Sequence, residues 1–414
     1  MTAMLERTRA AAAPLPVGWL GRPRLLADLD RLELSDYRAA TGPLPELSRD
    51  QLLALLDAVN LTGRGGAAFP LAAKIRSLKG RPVVLVNGTE GEPVSAKDHA
   101  LLSRAPHLVQ DGAEIVARAL GARKIILAIA DPALVPPLQQ ADRPRIELHR
   151  VADRFIAGEA RALIDALNGG NGLPPGRRVL PTVAGIDGKP TLLSNAETFA
   201  QVALLARLGP AIYSGVGTAS EPGTALLSVS GAVAKPGVLE VPFGTRVSEI
   251  VRMVGASSVQ AVVTGGYHGT WLPPVEFELS RQGVFAVGGS FGAGVLVFLD
   301  EHTCPLAELT RVASWLAGES ARQCGPCQFG LPALVSDLQG LLHGQRRESQ
   351  LLRRAAQLPG RGACAHPDGA VRFIQSGLAV LAEEVAVHQH RGGCGRADLG
   401  QLATHRADAF GAAA

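Results

Sequence analysis

Two cysteines separated by two residues are the feature of this chain whose spacing indicates chemistry most directly. Cys324 and Cys327 lie in the run 319–327. Such a pair is compatible with a thioredoxin-type redox pair, half of a zinc site or part of an iron–sulfur site. Cys364 and Cys394 follow, and two glycine-rich stretches of the kind that hold a nucleotide precede them. A redox cluster beside a nucleotide site indicates electron transfer.

The first glycine-rich stretch, Gly63-Arg64-Gly65-Gly66, has the makings of a phosphate-binding loop. Glycine lets backbone N–H groups approach an anion closely, and Arg64 or Lys74 can neutralise its charge. The run matches neither G-x-G-x-x-G nor the P-loop pattern, so the alternative is a flexible loop without a ligand. Its position before a strand, with a second polar glycine loop after that strand, favours nucleotide binding.

The second loop carries two carboxylates, Glu90 and Glu92, on either side of Gly91. Carboxylates beside a flavin or nicotinamide can accept hydrogen bonds from ribose or amide groups and can shape hydride transfer electrostatically. The alternative is a solvated acidic turn. The neighbouring glycine loop favours the functional interpretation.

Composition limits the class of protein. The 414 residues allow about two to four domains, each with its own core. A net charge of +4 from dispersed basic residues does not indicate a nucleic-acid partner, and five cysteines are typical of ligands or thiols in a reducing compartment. No apolar run is long enough for a signal peptide, and the glycine-rich stretch 283–299 predicts two buried strands around a tight turn rather than a direct membrane span. We therefore expect a cytoplasmic protein.

Local patterns predict the elements that position the candidate groups. Ser48 and Gln51 have the spacing of a capping box at the start of a helix. Residues 83–86 form a continuous apolar run that predicts a buried strand, followed by a helix over 107–120 and a strand over 124–130. This order is typical of an α/β layer with a parallel sheet.

The remaining segments predict two further units. Residues 226–299 contain short strands broken by turns around one helix, 247–254, which is typical of an α+β module. After Asp300 the chain becomes helical, and this last part contains all five cysteines. The predicted division is an N-terminal extension (1–47), an α/β domain (48–222), an α+β domain (223–300) and a helical domain with a C-terminal tail (301–414).

Several motifs in order resemble one family. Gly63 to Pro70, residues 87–98, Gly158-Glu159 and residues 188–198 resemble the flavin and nucleotide elements of the NADH-binding flavoprotein subunit of respiratory complex I and of its relatives in NAD-linked hydrogenases and formate dehydrogenases. Residues 226–299 resemble the β-grasp (SLBB-type) module of that family, and the region from Cys324 to Cys364 its helical iron–sulfur domain. The resemblance covers more than four fifths of the chain. It implies a multidomain fold with a Rossmann-like FMN/NADH domain, a β-grasp domain and a helical iron–sulfur domain.

The resemblance also implies an activity, that of an NADH dehydrogenase of the diaphorase type. NADH is expected to stack over FMN against Phe69, hydride to pass to the flavin, and single electrons to leave through a [4Fe–4S] cluster to a partner redox protein. Gly65, Lys74, Asn87, Glu159 and Asn195 are expected to bind FMN, and Phe69 and Glu92 to bind NADH. The whole implied cofactor-binding set is Gly63, Arg64, Gly65, Gly66, Phe69, Lys74, Asn87, Glu90, Glu92, Gly158, Glu159, Asn195 and Thr198.

The cluster motif departs from the family pattern. The family usually has three cysteines in a Cys-x-x-Cys-x-x-Cys run, and the first of them is Ala321 here. Cys324, Cys327 and Cys364 are therefore three expected ligands where a standard cubane takes four. Cys394 is the candidate for the fourth. A three-ligand cluster, a non-protein ligand or an empty site are the alternatives.

The nucleotide site departs as well. Thr89, Phe155, Ala160 and Ser194 replace hydrogen-bonding residues that the family has near the flavin or nicotinamide. We expect these replacements to affect the rate of NADH turnover more than the binding of FMN.

Cys304 and His366 lie near the cysteine motifs but are not predicted as ligands. Cys304 is interpreted as a small buried apolar residue and His366 as a surface or capping histidine.

Two other functions compete with electron transfer. One is a non-catalytic scaffold, which the lost acids and the lost cysteine favour and the glycine-lined pocket with its carboxylates opposes. The other is a zinc-bound interaction module that uses Cys324, Cys327, Cys364 and either His366 or Cys394.

Overall fold

The computed structural model describes residues 15–27, 33–141, 143–176 and 178–411. The first 14 residues, part of the stretch in which no signal peptide is predicted, lie outside the described residues. The strands are β1 (Val17–Trp19), β2 (Val83–Gly88), β3 (Lys124–Ile129), β4 (Ile146–Arg150), β5 (Thr191–Asn195), β6 (Thr224–Gly231), β7 (Gly237–Pro242), β8 (Val259–Thr264), β9 (Thr270–Leu272) and β10 (Val295–Asp300). The helices are α1 (Leu34–Thr41), α2 (Arg49–Ala58), α3 (Leu71–Arg76), α4 (Lys97–Arg104), α5 (Pro106–Ala119), α6 (Val135–Gln140), α7 (Ala160–Leu167), α8 (Ala196–Tyr213), α9 (Val247–Val254), α10 (Arg281–Ala286), α11 (Pro305–Gly318), α12 (Leu331–Leu342), α13 (Glu348–Ala355), α14 (His366–Val380), α15 (Ala382–Arg391) and α16 (Arg406–Phe410).

A four-stranded parallel sheet, in the order β4-β3-β2-β5, forms the centre of the first half of the chain. The predicted strands over 83–86 and 124–130 are β2 and β3, and the predicted helix over 107–120 is α5. Alternate residues of a strand point to opposite faces of the sheet. Accordingly, Val84 belongs to one hydrophobic core and Leu85 to another, so that helices cover both faces.

Local signals and close packing fix the helices beside this sheet. The predicted capping box starts α2, because the Ser48 hydroxyl accepts from the backbone N–H of Gln51 and the Gln51 side chain accepts from the N–H of Ser48. Helices α5 and α8 touch at Gly112, where an added Cβ would lie 1.8 Å from the backbone oxygen of Phe199. Only glycine allows that approach.

A six-stranded mixed sheet, in the order β1-β7-β6-β10-β8-β9, forms the second layer. The short strands predicted after residue 226 and the helix over 247–254, here α9, are confirmed. The edge strand β1 was not predicted and pairs in parallel with β7, over 200 residues away in sequence. The buried carboxylate of Glu240 in β7 accepts hydrogen bonds from the backbone N–H groups of Arg24, Leu25 and Leu26, which anchors the segment that follows β1.

The prediction of two strands around a turn in 283–299 is half wrong. The first part of this stretch belongs to the helix α10, whose N-cap, Ser280, accepts from the N–H of Gly283. A glycine-rich turn follows, and only the second part is a strand, β10. The first N–H groups of a helix have no partner within the helix, and the Ser280 side chain accepts a hydrogen bond from one of them. This cap stabilises the helix at the point where a strand was predicted.

Helices α11 to α16 form the last part of the chain, as predicted for the residues after Asp300. The tail after α15 folds back on the N-terminus of α11, where the buried carboxylate of Glu308 accepts from the N–H groups of Gln401 and Leu402, each at 2.9 Å. No helix within the described ranges combines the length and the apolarity needed to cross a bilayer.

Candidate functional site

Two asparagines meet at the carboxyl edge of the parallel sheet. Asn87 at the end of β2 is the register partner of Asn195 at the end of β5. The Asn87 side chain donates to the backbone oxygen of Gly158 at 3.2 Å and accepts from Thr89. Parallel strands place their carboxyl ends together, and ligands of open α/β sheets bind at that edge. The structure thus brings Asn87, Gly158 and Asn195 of the predicted set together.

The glycine loop lies against this edge. A hydrogen bond from the N–H of Gly63 to the oxygen of Phe69, at 3.0 Å, closes the loop, and the N–H of Arg64 donates to the Thr198 hydroxyl at 2.9 Å. An added Cβ on Gly65 would lie 3.3 Å from the Asn195 side chain. Gly66 has a φ of +98°, a backbone conformation that favours glycine. The loop therefore approaches the strand edge as closely as a phosphate-binding loop requires.

The Arg64 side chain does not turn toward the strand edge. Its guanidinium lies 4.6 Å from the centre of the Phe243 ring and lines a cavity of about 250 Å³ together with Arg281 and Glu221. Only the backbone of Arg64 faces the asparagines, since its carbonyl accepts from the Lys97 ammonium at 3.0 Å. The expectation that the Arg64 charge neutralises a phosphate at the edge is thus not supported by its placement.

Lys74 and Phe69 are available to a ligand at the edge. The Lys74 ammonium donates to the backbone oxygen of Leu193 in β5 at 2.9 Å, and burial lowers its pKa. Phe69 is 53% exposed, which is unusual for a large apolar residue. A cation at the edge suits a phosphate, and an exposed ring suits stacking.

Buried charged side chains contact Asn195 at this edge of the sheet. The Lys97 ammonium lies 2.6 Å from the Glu197 carboxylate, and both side chains are almost fully buried. Asp98 receives a hydrogen bond from the Asn195 side chain, and its other carboxylate oxygen lies 3.9 Å from the Lys97 ammonium and is buried without a hydrogen-bond partner. Burial raises the pKa of Asp98 to about 7. An unpartnered buried oxygen is costly unless a ligand donates to it.

The two loop carboxylates play different parts. Both oxygens of Glu90 are used within the protein, because they accept from the Ser95 hydroxyl and from the N–H groups of Asp98 and His99 at the start of α4. One oxygen of Glu92 accepts from the N–H of Tyr267 at 3.0 Å, and the other is buried without a partner. Burial raises the pKa of Glu92 to about 8. Glu92, rather than Glu90, retains an atom for a ligand.

Glu159 connects the strand edge to the cysteines. Its carboxylate accepts from the N–H groups of Arg161 and Ala162 and so caps α7. The Arg161 guanidinium donates to the oxygen of Ala363 at 2.7 Å, and the negative charge of Glu159 contributes to the raised pKa of the Cys364 thiol, after burial. The N-terminus of α7 therefore touches the loop that carries Cys364.

Three of the predicted ligands gather at the C-terminal end of α11. Cys324 lies in the loop after α11, Cys327 in a π-helical turn before α12, and Cys364 just before α14. Burial and the neighbouring Cys324 and Cys364 thiols raise the pKa of Cys327 to about 12. Ligands on separate irons of a cubane lie farther apart than ligands of one ion. Within the described part of the chain, these three thiols do not form a group tight enough for a single ion.

Cys394 is not in this group. Its thiol lies with Cys304, Glu384 and His388, and their ligand atoms all lie within 4.8 Å of one another. This group sits at the other end of α11, whose 14 residues span ~21 Å. The tail places Cys394 there because Gly392, with a φ of +75°, ends α15 and turns the chain back. This placement corrects two predictions. Cys394 does not lie beside the other three predicted ligands, and Cys304 is more than a buried apolar residue because it belongs to this group.

His366 is buried rather than exposed, and both of its ring nitrogens have partners. One ring nitrogen, Nε2, donates to the oxygen of Leu316 at 2.9 Å, and the other lies 3.2 Å from Nε2 of His268. The Phe155 ring packs edge-on against His268, at 4.8 Å between ring centres. His366 is therefore not a ligand, and Phe155 belongs to an aromatic wall between the edge and the cysteines.

Comparison with known proteins agrees with this arrangement. The family described as the Nuo51 FMN-binding domain matches residues 56–204, and the NADH-ubiquinone oxidoreductase-F iron–sulfur binding region matches residues 307–388. The first range contains the glycine loop and the strand edge, and the second contains the three gathered cysteines. The chain thus has an FMN-binding domain and a [4Fe–4S] binding region.

The relatives define the family. The F 2 subunit of the NADH-quinone oxidoreductase of Rhizobium meliloti (strain 1021) is 30% identical over 360 residues, which cover 79% of this chain and 86% of the relative. The F subunit of the same type of enzyme in Streptomyces coelicolor is 30% identical over 366 residues, covering 80% and 81%. Crystal structures of an NAD⁺-reducing [NiFe]-hydrogenase in the H₂-reduced and air-oxidized states match with TM-scores of 0.80 and 0.81, at 27% and 26% identity, and cover 90% and 96% of this chain and 68% and 72% of the hydrogenase chain. The chain belongs to the family of NADH-quinone oxidoreductase F subunits, which are NADH-dehydrogenase-type oxidoreductases.

Sequence reasoning missed several residues of the site. Lys97 and Asp98 lie within the motif 87–98 but were not predicted as site residues, although both side chains form hydrogen bonds with Asn195. The signal available in the sequence was an adjacent Lys-Asp pair at the end of this motif. Tyr267, which contacts Glu92 from the second sheet, gave no local signal, because the contact joins residues 175 positions apart.

Proposed function

We propose that this chain oxidises NADH at an FMN bound to the carboxyl edge of the parallel sheet and passes the electrons to a partner redox protein through a [4Fe–4S] cluster at Cys324, Cys327 and Cys364. The observation that supports this most is the connection through α7. Gly158 accepts from Asn87 at the strand edge, and the next residue, Glu159, lies beside Cys364. When bound, FMN supplies the conversion from two-electron to one-electron chemistry.

The side chains at the edge fit an FMN. Lys74 would pair with the phosphate, and the Asp98 oxygen that has no hydrogen-bond partner would accept from a hydroxyl of the flavin side chain. Phe69 would stack on the nicotinamide. Burial raises the pKa of Glu92 to about 8, so its protonated form would orient the nicotinamide by a hydrogen bond. The three cysteines would hold the cluster as thiolates, and Ala321 offers no thiolate for a fourth iron.

The same proposal assigns a domain to each part of the fold. The four-stranded sheet would be the Rossmann-like FMN/NADH domain over 48–222, the mixed sheet a β-grasp (SLBB-type) domain over 223–300, and helices α11 to α16 the iron–sulfur domain over 301–414. The five thiols are not joined in disulfides, which supports a cytoplasmic location.

A second candidate is a relative that keeps the fold without NADH turnover. The engagement of both Glu90 oxygens within the protein favours it, as do the replacements at Thr89 and Ala160. The two candidates differ in whether NADH reduces a bound flavin.

A variant at Glu92 separates binding from turnover. Glu92→Leu removes the hydrogen-bonding atoms of this side chain, so it should retain FMN and slow the reduction of the flavin by NADH at least about tenfold, which corresponds to ~1.4 kcal/mol in the barrier. Stopped-flow absorption under anaerobic conditions measures the rate, and Glu276→Leu, at an exposed carboxylate, is the matched control. Equal rates in the variant and the parent would remove Glu92 from the proposed NADH site.

A further inference from the structure

Four side chains of metal-ligating types converge at the N-terminal end of α11, away from the proposed flavin and cluster. They are Cys304, Glu384, His388 and Cys394. Cys304 and His388 are buried, and Glu384 and Cys394 are half-buried. Two thiols, an imidazole and a carboxylate form a ligand set that zinc accepts.

The three distances among the ligand atoms of Cys304, Glu384 and His388 match those of ligands around one tetrahedral ion, and the Cys394 thiol lies within 4.8 Å of each of them. Typical zinc bond lengths place a sulfur and a nitrogen ligand ~3.6 Å apart, a nitrogen and an oxygen ~3.3 Å, and a sulfur and an oxygen ~3.5 Å. Cys304 Sγ lies 3.4 Å from His388 Nε2 and 3.6 Å from Glu384 Oε1. His388 Nε2 lies 3.2 Å from Glu384 Oε1. The three observed distances agree with the expected ones to about 0.2 Å.

The orientation of His388 is the one that a metal ligand needs. Its Nδ1 donates to the backbone oxygen of Leu342 at 2.8 Å, because a carbonyl can only accept. This hydrogen bond directs the lone pair of Nε2 into the group, as the outer partners of ligating histidines do. A thiol–imidazole–carboxylate triad is excluded, since there the carboxylate holds the nitrogen opposite the thiol. Here Cys304 and Glu384 converge on the same nitrogen.

The surrounding charges suit a zinc ion. Two thiolates, one carboxylate and Zn²⁺ sum to one negative charge, which the Arg396 guanidinium offsets by pairing with Glu384 Oε2. The N–H of Ala307 at the start of α11 points at Cys304 Sγ, at 3.4 Å. Because Glu384 Oε2 is taken by Arg396, Oε1 is the oxygen left to bind the ion.

Hydrogen bonds of the C-terminal tail bring Cys394 to the group. The N–H of Cys304 donates to the oxygen of Ala397 at 2.8 Å, and Glu308 holds Gln401 and Leu402. We propose that Cys304, Glu384, His388 and Cys394 bind one zinc ion, which fastens the C-terminal tail to α11 and α15. This site is independent of the proposed NADH oxidation.

Zinc and iron contents of the purified protein test the proposal. Protein purified anaerobically without chelator and equilibrated with zinc chloride should contain zinc in equal amount to the chain. Cys394→Ser and Glu384→Gln should each lower the bound zinc at least about tenfold, with the iron unchanged. Glu383→Gln, at the exposed neighbour, should retain zinc, and Cys324→Ser should lose iron but not zinc. Full zinc content in Cys394→Ser, or a parent protein that takes up none, would overturn the assignment.

A second measurement needs no variant. After treatment of the parent protein with a chelator, adding zinc chloride should slow the alkylation of Cys304 and Cys394 at least about tenfold, read peptide by peptide by mass spectrometry. Unchanged alkylation rates would contradict the proposal. A Cys304–Cys394 disulfide in the anaerobically purified protein would also contradict it, because a disulfide leaves no thiolates for a metal.

Discussion

Replacing Glu92 with glutamine should remove a loss of stability that the parent protein suffers as the pH rises. Burial raises the pKa of Glu92 from 4.5 to about 8 in the folded protein, whereas the unfolded chain ionises near the ordinary value. The stability that the protonated carboxyl contributes is therefore complete below pH 4.5 and is lost as the pH rises through 8. At 1.36 kcal/mol per pKa unit, the loss is about 3 kcal/mol at pH 7 and reaches about 5 kcal/mol at high pH.

Thermal unfolding between pH 5 and pH 9, followed by circular dichroism, measures this difference. At pH 5 the parent and Glu92→Gln should melt at similar temperatures, because a protonated carboxyl and an amide are nearly isosteric. At pH 9 the variant should melt on the order of 10 °C higher. Asp98, with its pKa raised to about 7, titrates in both proteins, so the difference between the two curves isolates Glu92. Glu276→Gln should follow the parent, and parallel curves for Glu92→Gln and the parent would refute the reasoning.

Three further changes test other parts of the fold. Cys327→Ser should abolish the cluster and leave the flavin in place, measured as iron and FMN content, and unchanged iron would reject Cys327 as a ligand. Lys97→Met should cost about 3–5 kcal/mol, because it leaves the buried Glu197 carboxylate unpaired, and a melting temperature like that of the parent would contradict the buried ion pair. Glu240→Ala should free the segment at Arg24 and expose it to limited proteolysis, whereas an unchanged digestion pattern would show that β1 holds without this carboxylate.

Features encoded within a few residues could be predicted from the sequence. The Ser48 capping box, the buried strand β2 and the helix α9 each depend on neighbours in the chain, and the structure has all three. The approach of Asn87 to Asn195 followed from parallel strand order together with a resemblance to a known family.

Contacts between distant segments could not be predicted in this way. β1 pairs with β7 through backbone groups that any residue offers, so its three residues gave no signal. Cys394 was assigned to the cluster by counting thiols, whereas the tail contacts that place it beside Cys304 join residues about 90 positions apart. A strand was predicted where α10 lies because a short apolar run beside glycines fits either structure.

The most direct test of the proposed function is an absorption spectrum of the anaerobically purified protein, with flavin and iron quantified, before and after NADH is added. We expect flavin bands and a broad iron–sulfur absorption that both bleach with NADH. A protein that stays colourless after reconstitution with FMN, iron and sulfide, or whose flavin NADH does not reduce, would contradict the proposed function.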